Sequence, residues 1–354
     1  MNSGRKRYLL YISQNYSYAI LRPLQSAIKA RGDEACWFLE GNEVTSSFLK
    51  ADEQQLTSVE EVKAWNPDAV FVPGNTVPNF IPGIKVAVFH GFDAGKVNRR
   101  GRVDHFEIRD CFDLYCTQGI DTTQPFTRLA QEHGTFTVVE TGWPTLDPMF
   151  KGEGEHPYSV EGDDRPVVLL CSTFSRNLSC APVIYEKVKQ LSLQGEWRWL
   201  VQFHPKMHPD IVEKYKALQN DNLTFIETDN VLPLLKAADV MLCDTSSVLI
   251  MFLLEGKPVV TFNNQTKLSH LVNVDSVEDI QPALELALSR PAELMSKVDE
   301  YCTSVHPYRD GKSSERVLAA VDELLEKGMK SLKPKPANIL RHLKMRKKMN
   351  YWKF

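Results

Sequence analysis

The chain lacks the patterns that mark several large protein classes. Its seven cysteines are odd in number and scattered, with no C-x-x-C pair, and Cys36, Cys116, Cys171 and Cys243 sit inside apolar runs. That excludes a disulfide frame and a zinc ribbon and reads as reduced, buried thiols in a cytosolic protein. No run of about 18 apolar residues is present, so no membrane-spanning helix is expected. The basic start, Met1 to Arg7, leads into an apolar run too short for a secretion signal, with no small-residue cleavage site after it. No G-x-x-x-x-G-K-[ST], G-x-G-x-x-G or G-x-S-x-G occurs, which argues against nucleoside-triphosphatase, dehydrogenase and serine-hydrolase readings. His105 and His133 have no partners at metal-ligand spacing, so no metal is expected. Finally, residues 330–354 hold nine Lys/Arg and no Asp/Glu. Against a whole-chain charge of −3, the remainder therefore carries about −12.

What is present is a long alternation of strand and helix patterns. Short apolar runs at Tyr8–Ser13, Ala35–Leu39, Ala69–Pro73, Lys85–Phe89, Leu114–Thr117 and Thr137–Glu140 predict buried parallel strands. Helical patterns at Tyr18–Ala30 and Ser58–Ala64 lie between them. A polar stretch with several Gly and Pro, Lys151–Arg165, reads as a linker. A second series follows, with strands at Val167–Cys171, Trp197–Phe203, Leu223–Ile226, Val240–Cys243 and Val259–Phe262. Its helices are expected at Ala181–Leu193, Asp210–Leu218, Val231–Ala237 and Val248–Glu255, then Ser276–Ser289, Ala292–Tyr301 and Ser314–Lys327. The fold class is α/β: two Rossmann-like domains facing across a cleft. The expected division is 1–150 for an acceptor-side domain, 151–329 for a nucleotide-donor domain and 330–354 for a basic amphipathic tail.

Ligands in such sheets sit beyond the carboxyl ends of the strands, so residues directly after strands are the candidates. His90 follows a strong apolar strand and precedes Gly91 and Asp93; near neutral pH an imidazole suits a general base. Lys96, Arg99, Arg100 and Arg102 follow and could receive an anion. An exposed basic loop is the bland alternative. His204, Pro205 and Lys206 close another strand and could contact phosphate, whereas His208 at the start of the next helix reads as structural. Gly142, Pro144 and Asp147 shape a turn, with Asp147 as a cap or brace. Asp244, Thr245, Ser246 and Ser247 form a turn and helix start whose hydroxyls and N–H groups suit a phosphate; an ordinary capped core helix is the alternative. The last candidate is Asp310, Gly311, Lys312 and Ser313 before a helix, an anion site or a plain cap.

In their order these pieces resemble the CDP-glycerol glycerophosphotransferases, the teichoic-acid primases and polymerases of GT-B architecture. The set is His90-Gly91 with Lys96 and Gly101; Gly142, Pro144 and Asp147; His204-Pro205; Asp244, Ser246 and Ser247 with Glu255 and Pro258; and Asp310-Gly311-Lys312-Ser313 with Arg316. Phe89 and Thr145 stand where the family commonly has Trp and Arg. The resemblance implies His90 as base and His204, Ser246, Ser247 and the Asp310 loop as donor-phosphate contacts, with Glu255 in the same motif. It implies a CDP-linked donor such as CDP-glycerol, a glycan or lipid-linked acceptor, CMP as leaving group and no cofactor. A nucleotide-sugar transferase, a UDP-sugar 2-epimerase and a non-catalytic nucleotide- or sugar-binding module share parts of the pattern. The tail places Ile339, Leu340, Leu343, Met345, Met349, Tyr351, Trp352 and Phe354 among its basic residues, which fits adsorption to an anionic bilayer. A solvated tail or a packed helix is the alternative. Nucleic acid fits poorly with the acidic body. The expected location is cytoplasmic, peripheral on the inner face of the membrane.

Overall fold

The computed structural model describes residues 4–93, 101, 103–152, 157–158, 160–228, 230–245, 248–264 and 268–353. The chain forms two compact units, residues 1–153 with 305–354, and residues 154–304.

In the first unit the elements run β1 (Arg7–Ile12), α1 (Ser17–Ala30), β2 (Glu34–Leu39), β3 (Gln55–Leu56), α2 (Val59–Trp65), β4 (Ala69–Val72), β5 (Ile84–Ala87), β6 (Leu114–Thr117), α3 (Ile120–His133), β7 (Thr137–Glu140) and α4 (Asp147–Phe150). The strands form one seven-stranded parallel sheet in the order β3-β2-β1-β4-β5-β6-β7. β1, β4 and β6 are buried almost throughout, as expected for strands covered on both faces. Helix α3 has no counterpart in the sequence reading. Pro125 and its polar run Asp121–Gln124 hide it, and only two of its residues, Thr122 and Phe126, are fully buried.

The second unit runs β8 (Val167–Ser172), α5 (Ala181–Gln194), β9 (Arg198–Phe203), α6 (Pro209–Lys216), β10 (Leu223–Phe225), α7 (Leu232–Ala237), β11 (Val240–Cys243), α8 (Val248–Leu254), β12 (Val259–Phe262), β13 (Val272–Val274), α9 (Ile280–Leu288) and α10 (Ala292–Val305). Its six strands are parallel in the order β10-β9-β8-β11-β12-β13. Each sheet therefore reverses its strand order once, beside β1 and beside β8. Those are the positions where ligands bind in open α/β sheets.

The expected boundary at residue 329 is corrected. After α10 the chain returns to the first unit, so α11 (Ser313–Lys327) and α12 (Ile339–Lys348) belong there. The return is locked by one carboxylate. Asp147, 2% exposed, accepts hydrogen bonds from the backbone N–H groups of Ser313 and Ser314, both at 2.8 Å. Those are first-turn donors of α11, which have no partner within the helix. The helix dipole adds to the fit, because its amino end favours negative charge. Further along α11, Asp322 receives the Lys6 ammonium at 2.5 Å and Arg31 at 2.7 Å.

The basic tail is not a loose appendage. Tyr351 is 5% exposed and packs on Phe80 with ring centroids 4.9 Å apart. Lys348 pairs with Glu40 at 2.9 Å and Lys353 with Glu60 at 3.1 Å. Lys335 pairs with Asp113, and Arg341 donates to the carbonyl of Arg109. Met345 and Met349 close over the first unit's apolar core.

Asp147→Ala leaves two buried helix N–H groups unpaired, at about 1–3 kcal/mol each. The expected loss is about 3 kcal/mol in urea unfolding. A loss below about 0.5 kcal/mol would show that the return of α11 does not depend on this carboxylate.

Candidate functional site

The carboxyl ends of the first sheet gather around the loop after β5. Phe89 adopts a left-handed backbone, with φ of 60°, which is costly for a bulky residue. It is over-determined by its neighbours. Its ring stacks on His105 with centroids 5.2 Å apart and meets Phe126 edge-on at 5.3 Å. Its carbonyl accepts the indole N–H of Trp143 at 3.3 Å. Two residues on, the Gly91 carbonyl accepts from Gln118 Nε2 at 3.1 Å, and the Phe92 ring meets Trp143 edge-on at 5.2 Å. Between these anchors His90 is exposed, and its Nδ1 lies 3.2 Å from the carbonyl oxygen of Pro73, just after β4. A carbonyl can only accept, so Nδ1 carries the proton and the lone pair of the neutral ring lies on Nε2. The Tyr16 ring, after β1, lies 6.4 Å away.

Two histidines frame this loop, His105 half-buried and His306 buried. His105 is pushed down to about 4 by burial, with His90 acting in the same direction and Asp93 and Asp104 against it. His306 is fully buried, stacks on Phe150 at 5.6 Å, and accepts the backbone N–H of Trp143 on Nε2 at 2.8 Å. Burial pushes His306 down to about 4. Gly142, beside Trp143, has φ of 76°, and a Cβ there would lie 2.5 Å from Ser313 Oγ and 2.9 Å from His306 Nε2. The motif at 142–147 and the motif at 310–316 thus form one packed object within the first unit.

At the carboxyl ends of the second sheet, Asp244 follows β11 and is 1% exposed. Its carboxylate accepts from Ser172 Oγ at 2.6 Å, from the N–H of Thr173 at 3.0 Å and from the N–H of Cys180 at 3.0 Å. It ties together the ends of β8 and β11 and the start of α5. His204, after β9, is exposed and packs against Phe174 with ring centroids 4.5 Å apart. Its Nδ1 accepts the backbone N–H of Lys206 at 3.0 Å. That bond requires an unprotonated Nδ1, so the neutral ring carries its proton on Nε2. His90 and His204 therefore hold opposite tautomers, each set by the backbone. Thr245 Oγ1 reaches Asn264 Oδ1 at 3.5 Å. His208 caps α6 by accepting from the N–H of Asp210.

Several expected contacts are corrected. Asp244 is turned inward and saturated by its own unit, so it braces the site instead of touching a donor. Ser313 is 1% exposed with its N–H taken by Asp147, so the start of α11 offers no vacant anion site. Gly311 is buried with φ of 67°, and a Cβ there would lie 2.9 Å from the Asp147 carbonyl oxygen. Asp310 pairs with Arg316 at 2.5 Å and accepts from the N–H of Lys312, while Arg316 lies over the Tyr308 ring at 4.0 Å. The whole loop belongs to the first unit, not to a donor domain. Glu255 follows the last residue of α8, so it sits at the opposite edge of the sheet from Thr245. The span of α8 alone, roughly 10 Å at 1.5 Å per residue, keeps it from a phosphate held at the carboxyl edge. Lys96, Ser246 and Ser247 lie outside the described residues, as do Arg99, Arg100 and Arg102.

The sequence reading passed over Pro73, Gln118, His306, Ser172 and Phe174. Pro73 and Gln118 sit directly after strands and Ser172 and Phe174 at or just past the end of β8, the one signal that pointed to His90 and His204. His306 carried no signal, because its place depends on the chain's return to the first unit. Among the described residues, no group of three or more His, Cys, Asp or Glu is arranged to hold a metal ion.

Residues 104–270 match the family model described as CDP-Glycerol:Poly(glycerophosphate) glycerophosphotransferase. No curated protein matches the sequence. Among solved structures the chain is similar to a putative UDP-N-acetylglucosamine 2-epimerase from Listeria monocytogenes, with TM-score 0.65 and 16% identity over 94% of this chain and 98% of that one. It is similar to S. aureus MnaA with UDP, with TM-score 0.64 and 17% identity over 93% and 99%. It is also similar to the wall teichoic acid polymerase TagF soaked with CDPG, with TM-score 0.66 and 13% identity over 91% and 90%. At these identities the structures establish the fold, which is GT-B-like.

The depressed pKa of His306 makes stability pH-dependent. The unfolded chain, near the ordinary 6.5, binds about one more proton than the folded chain between pH 6.5 and 4. Stability is therefore full above pH 6.5 and falls by up to about 3 kcal/mol as pH drops toward 4. Urea unfolding of wild type and His306→Gln between pH 7 and 4 measures this. The variant's slope should be lower by about one proton, and equal slopes would reject the assignment.

Proposed function

We propose that this chain, a member of the CDP-glycerol glycerophosphotransferase family, moves glycerol phosphate from CDP-glycerol to a hydroxyl group of a glycan or lipid-linked acceptor. The observation that carries the reading is the family match over residues 104–270, which spans both His204 and Asp244. The TagF structure to which the fold is similar was soaked with CDPG, which is consistent with that donor.

The tautomers supply a division of labour. His90 has its Nδ1–H directed to the Pro73 carbonyl, so Nε2 is the basic nitrogen and takes the proton of the acceptor hydroxyl. The acceptor oxygen bonds to the β-phosphorus of CDP-glycerol as the bond from that phosphorus to the bridging oxygen breaks, and CMP leaves. General-base help of this kind is worth 10²–10⁴-fold. His204 has its proton on Nε2 and donates it to a phosphate oxygen, with Lys206 beside it. Stabilising charge on the leaving group is the larger part of phosphoryl transfer. Thr245 and, by sequence position, Ser246 and Ser247 offer further uncharged donors. Gly91, Asp93 and Lys96 form the acceptor side in this reading.

The acceptor's setting is read from the tail. Among the described residues, no helix is long and apolar enough to cross a membrane. Yet Leu340, Leu343, Lys344 and Lys347 are exposed at the three- and four-residue spacing of one helix face. Leu340 is 77% exposed and Ile339 66%, and Trp352 stands half exposed just beyond. Apolar and basic groups on the outward face of a docked helix suit an anionic bilayer, at about 1 kcal/mol per basic residue near the surface.

Thermal shift with a nucleotide panel tests the donor. CMP, CDP and above all CDP-glycerol should raise the melting temperature, and His90→Ala should keep that shift while losing at least 100-fold in turnover. Selective response to UDP- or GDP-sugars would reject the donor and move the chain to sugar transfer or epimerisation. A nucleotide response with no turnover in any acceptor assay would favour a binding module.

Sedimentation with vesicles tests the surface. Binding to phosphatidylglycerol-containing vesicles should weaken with salt, and Lys344→Glu with Lys347→Glu should reduce it at least tenfold. Equal binding by the variant would return α12 to a purely structural role.

A further inference from the structure

Trp143 is 3% exposed, too buried to touch a substrate, yet three elements converge on it. Its indole N–H holds the Phe89 carbonyl at 3.3 Å, directly before His90. Its ring meets Phe92 at 5.2 Å, just beyond Gly91. Its own N–H is held by His306 Nε2 at 2.8 Å. His306 is the second residue of the segment that re-enters the first unit after the second. It is wedged between Phe150, stacked at 5.6 Å, and Tyr308, edge-on at 6.3 Å. The left-handed turn at Phe89 is the strained point of this loop, and such a conformation persists only where its surroundings impose it.

We infer that Trp143, seated by His306, is a positioning residue that fixes the His90 loop so that the imidazole keeps its Nδ1–H on the Pro73 carbonyl and presents Nε2 to the acceptor. The inference rests on the proposed role of His90 as base. The brace acts at two points. The indole N–H satisfies the carbonyl of the left-handed Phe89, and the Phe92 contact fixes the loop's far side. Without the indole N–H, the Phe89 carbonyl is unpaired and the peptide before His90 is free to rotate. The ring would then exchange between tautomers and orientations, and the fraction of enzyme with a basic Nε2 correctly placed would fall. Displacements of about 1 Å in a catalytic group cost on the order of 100-fold. The substrate contacts themselves would be untouched, so the loss belongs in kcat and not in KM.

Kinetics and nitrogen NMR on the full chain test this. Trp143→Phe keeps a six-membered ring against Phe92 while removing the N–H donor and the indole's second ring. We expect kcat to fall at least tenfold, with KM for CDP-glycerol changed less than twofold. His306→Gln, which keeps an acceptor for the Trp143 N–H, should lose less than His306→Phe, which has none. In a His90→Ala background, Trp143→Phe should cost nothing further, because it acts through His90. In ¹⁵N spectra, wild-type His90 should show a single Nδ1–H tautomer and Trp143→Phe a mixture of the two. Full activity of His90→Ala would sink the base assignment, and the spectra would then judge the brace alone. Unchanged kcat and an unchanged His90 tautomer in a folded Trp143→Phe would overturn the inference. So would an equal loss from Trp143→Phe with and without His90.

Discussion

Asp147 carries the constraint on which the first unit depends. Its carboxylate is buried and accepts two backbone N–H groups, both from the start of α11. A buried charge is tolerable only when hydrogen bonds replace its lost hydration, so carboxylate and helix start must find each other. They stand 166 and 167 residues apart in the chain, with the whole second unit between them. Once they meet, the chain is bound to return to the first unit at this point. Gly142 must then lack a side chain, and His306 is seated under Trp143. One interaction so decides the extent of the unit, the packing of two motifs and the support of the loop after β5.

His90 and His204 show how backbone placement gives identical side chains opposite tautomers. An imidazole facing a carbonyl must donate; an imidazole facing an N–H must accept. His90 faces Pro73 O and His204 faces Lys206 N–H. In the neutral ring the remaining nitrogen is therefore the acceptor on His90 and the donor on His204. The buried carboxylates, Asp147 and Asp244, contact neither ring in these bonds. They hold the frame that sets the loops, one in each unit. The conspicuous acidic positions Asp147 and Asp244 thus do structural service within their units.

Most sheet strands were legible as short apolar runs, those at β1, β4, β5, β6, β8, β9, β11 and β12 standing out against polar flanks, whereas the short, half-buried β3 and β13 were not. His90 and His204 were legible for the same reason, as the first reactive side chains after such runs. Helix α3 was not, since a mostly exposed helix has little apolar periodicity to read and Pro125 argues against it locally. The roles of Asp244 and Ser313 were misread because a turn of short polar residues looks the same whether its oxygen and N–H groups face a ligand or a buried partner. Only the tertiary partner, Ser172 or Asp147, decides between them. The destination of α11 was illegible for a related reason. Its amphipathic pattern guarantees that one face is buried but says nothing about which unit buries it.

The strained turn at Phe89 draws these threads together. A left-handed backbone at a phenylalanine costs on the order of 1–3 kcal/mol, and a glycine would remove much of that cost. The phenylalanine ring returns it through His105 and Phe126, contacts that glycine could not make. Stability is thus gained from the ring at the same residue that spends it on the backbone, and the residue in the awkward conformation is the one immediately before the exposed histidine. The backbone immediately before His90 is consequently held by packing within its own unit. A loop held in this way is assembled by the packing of the folded unit itself.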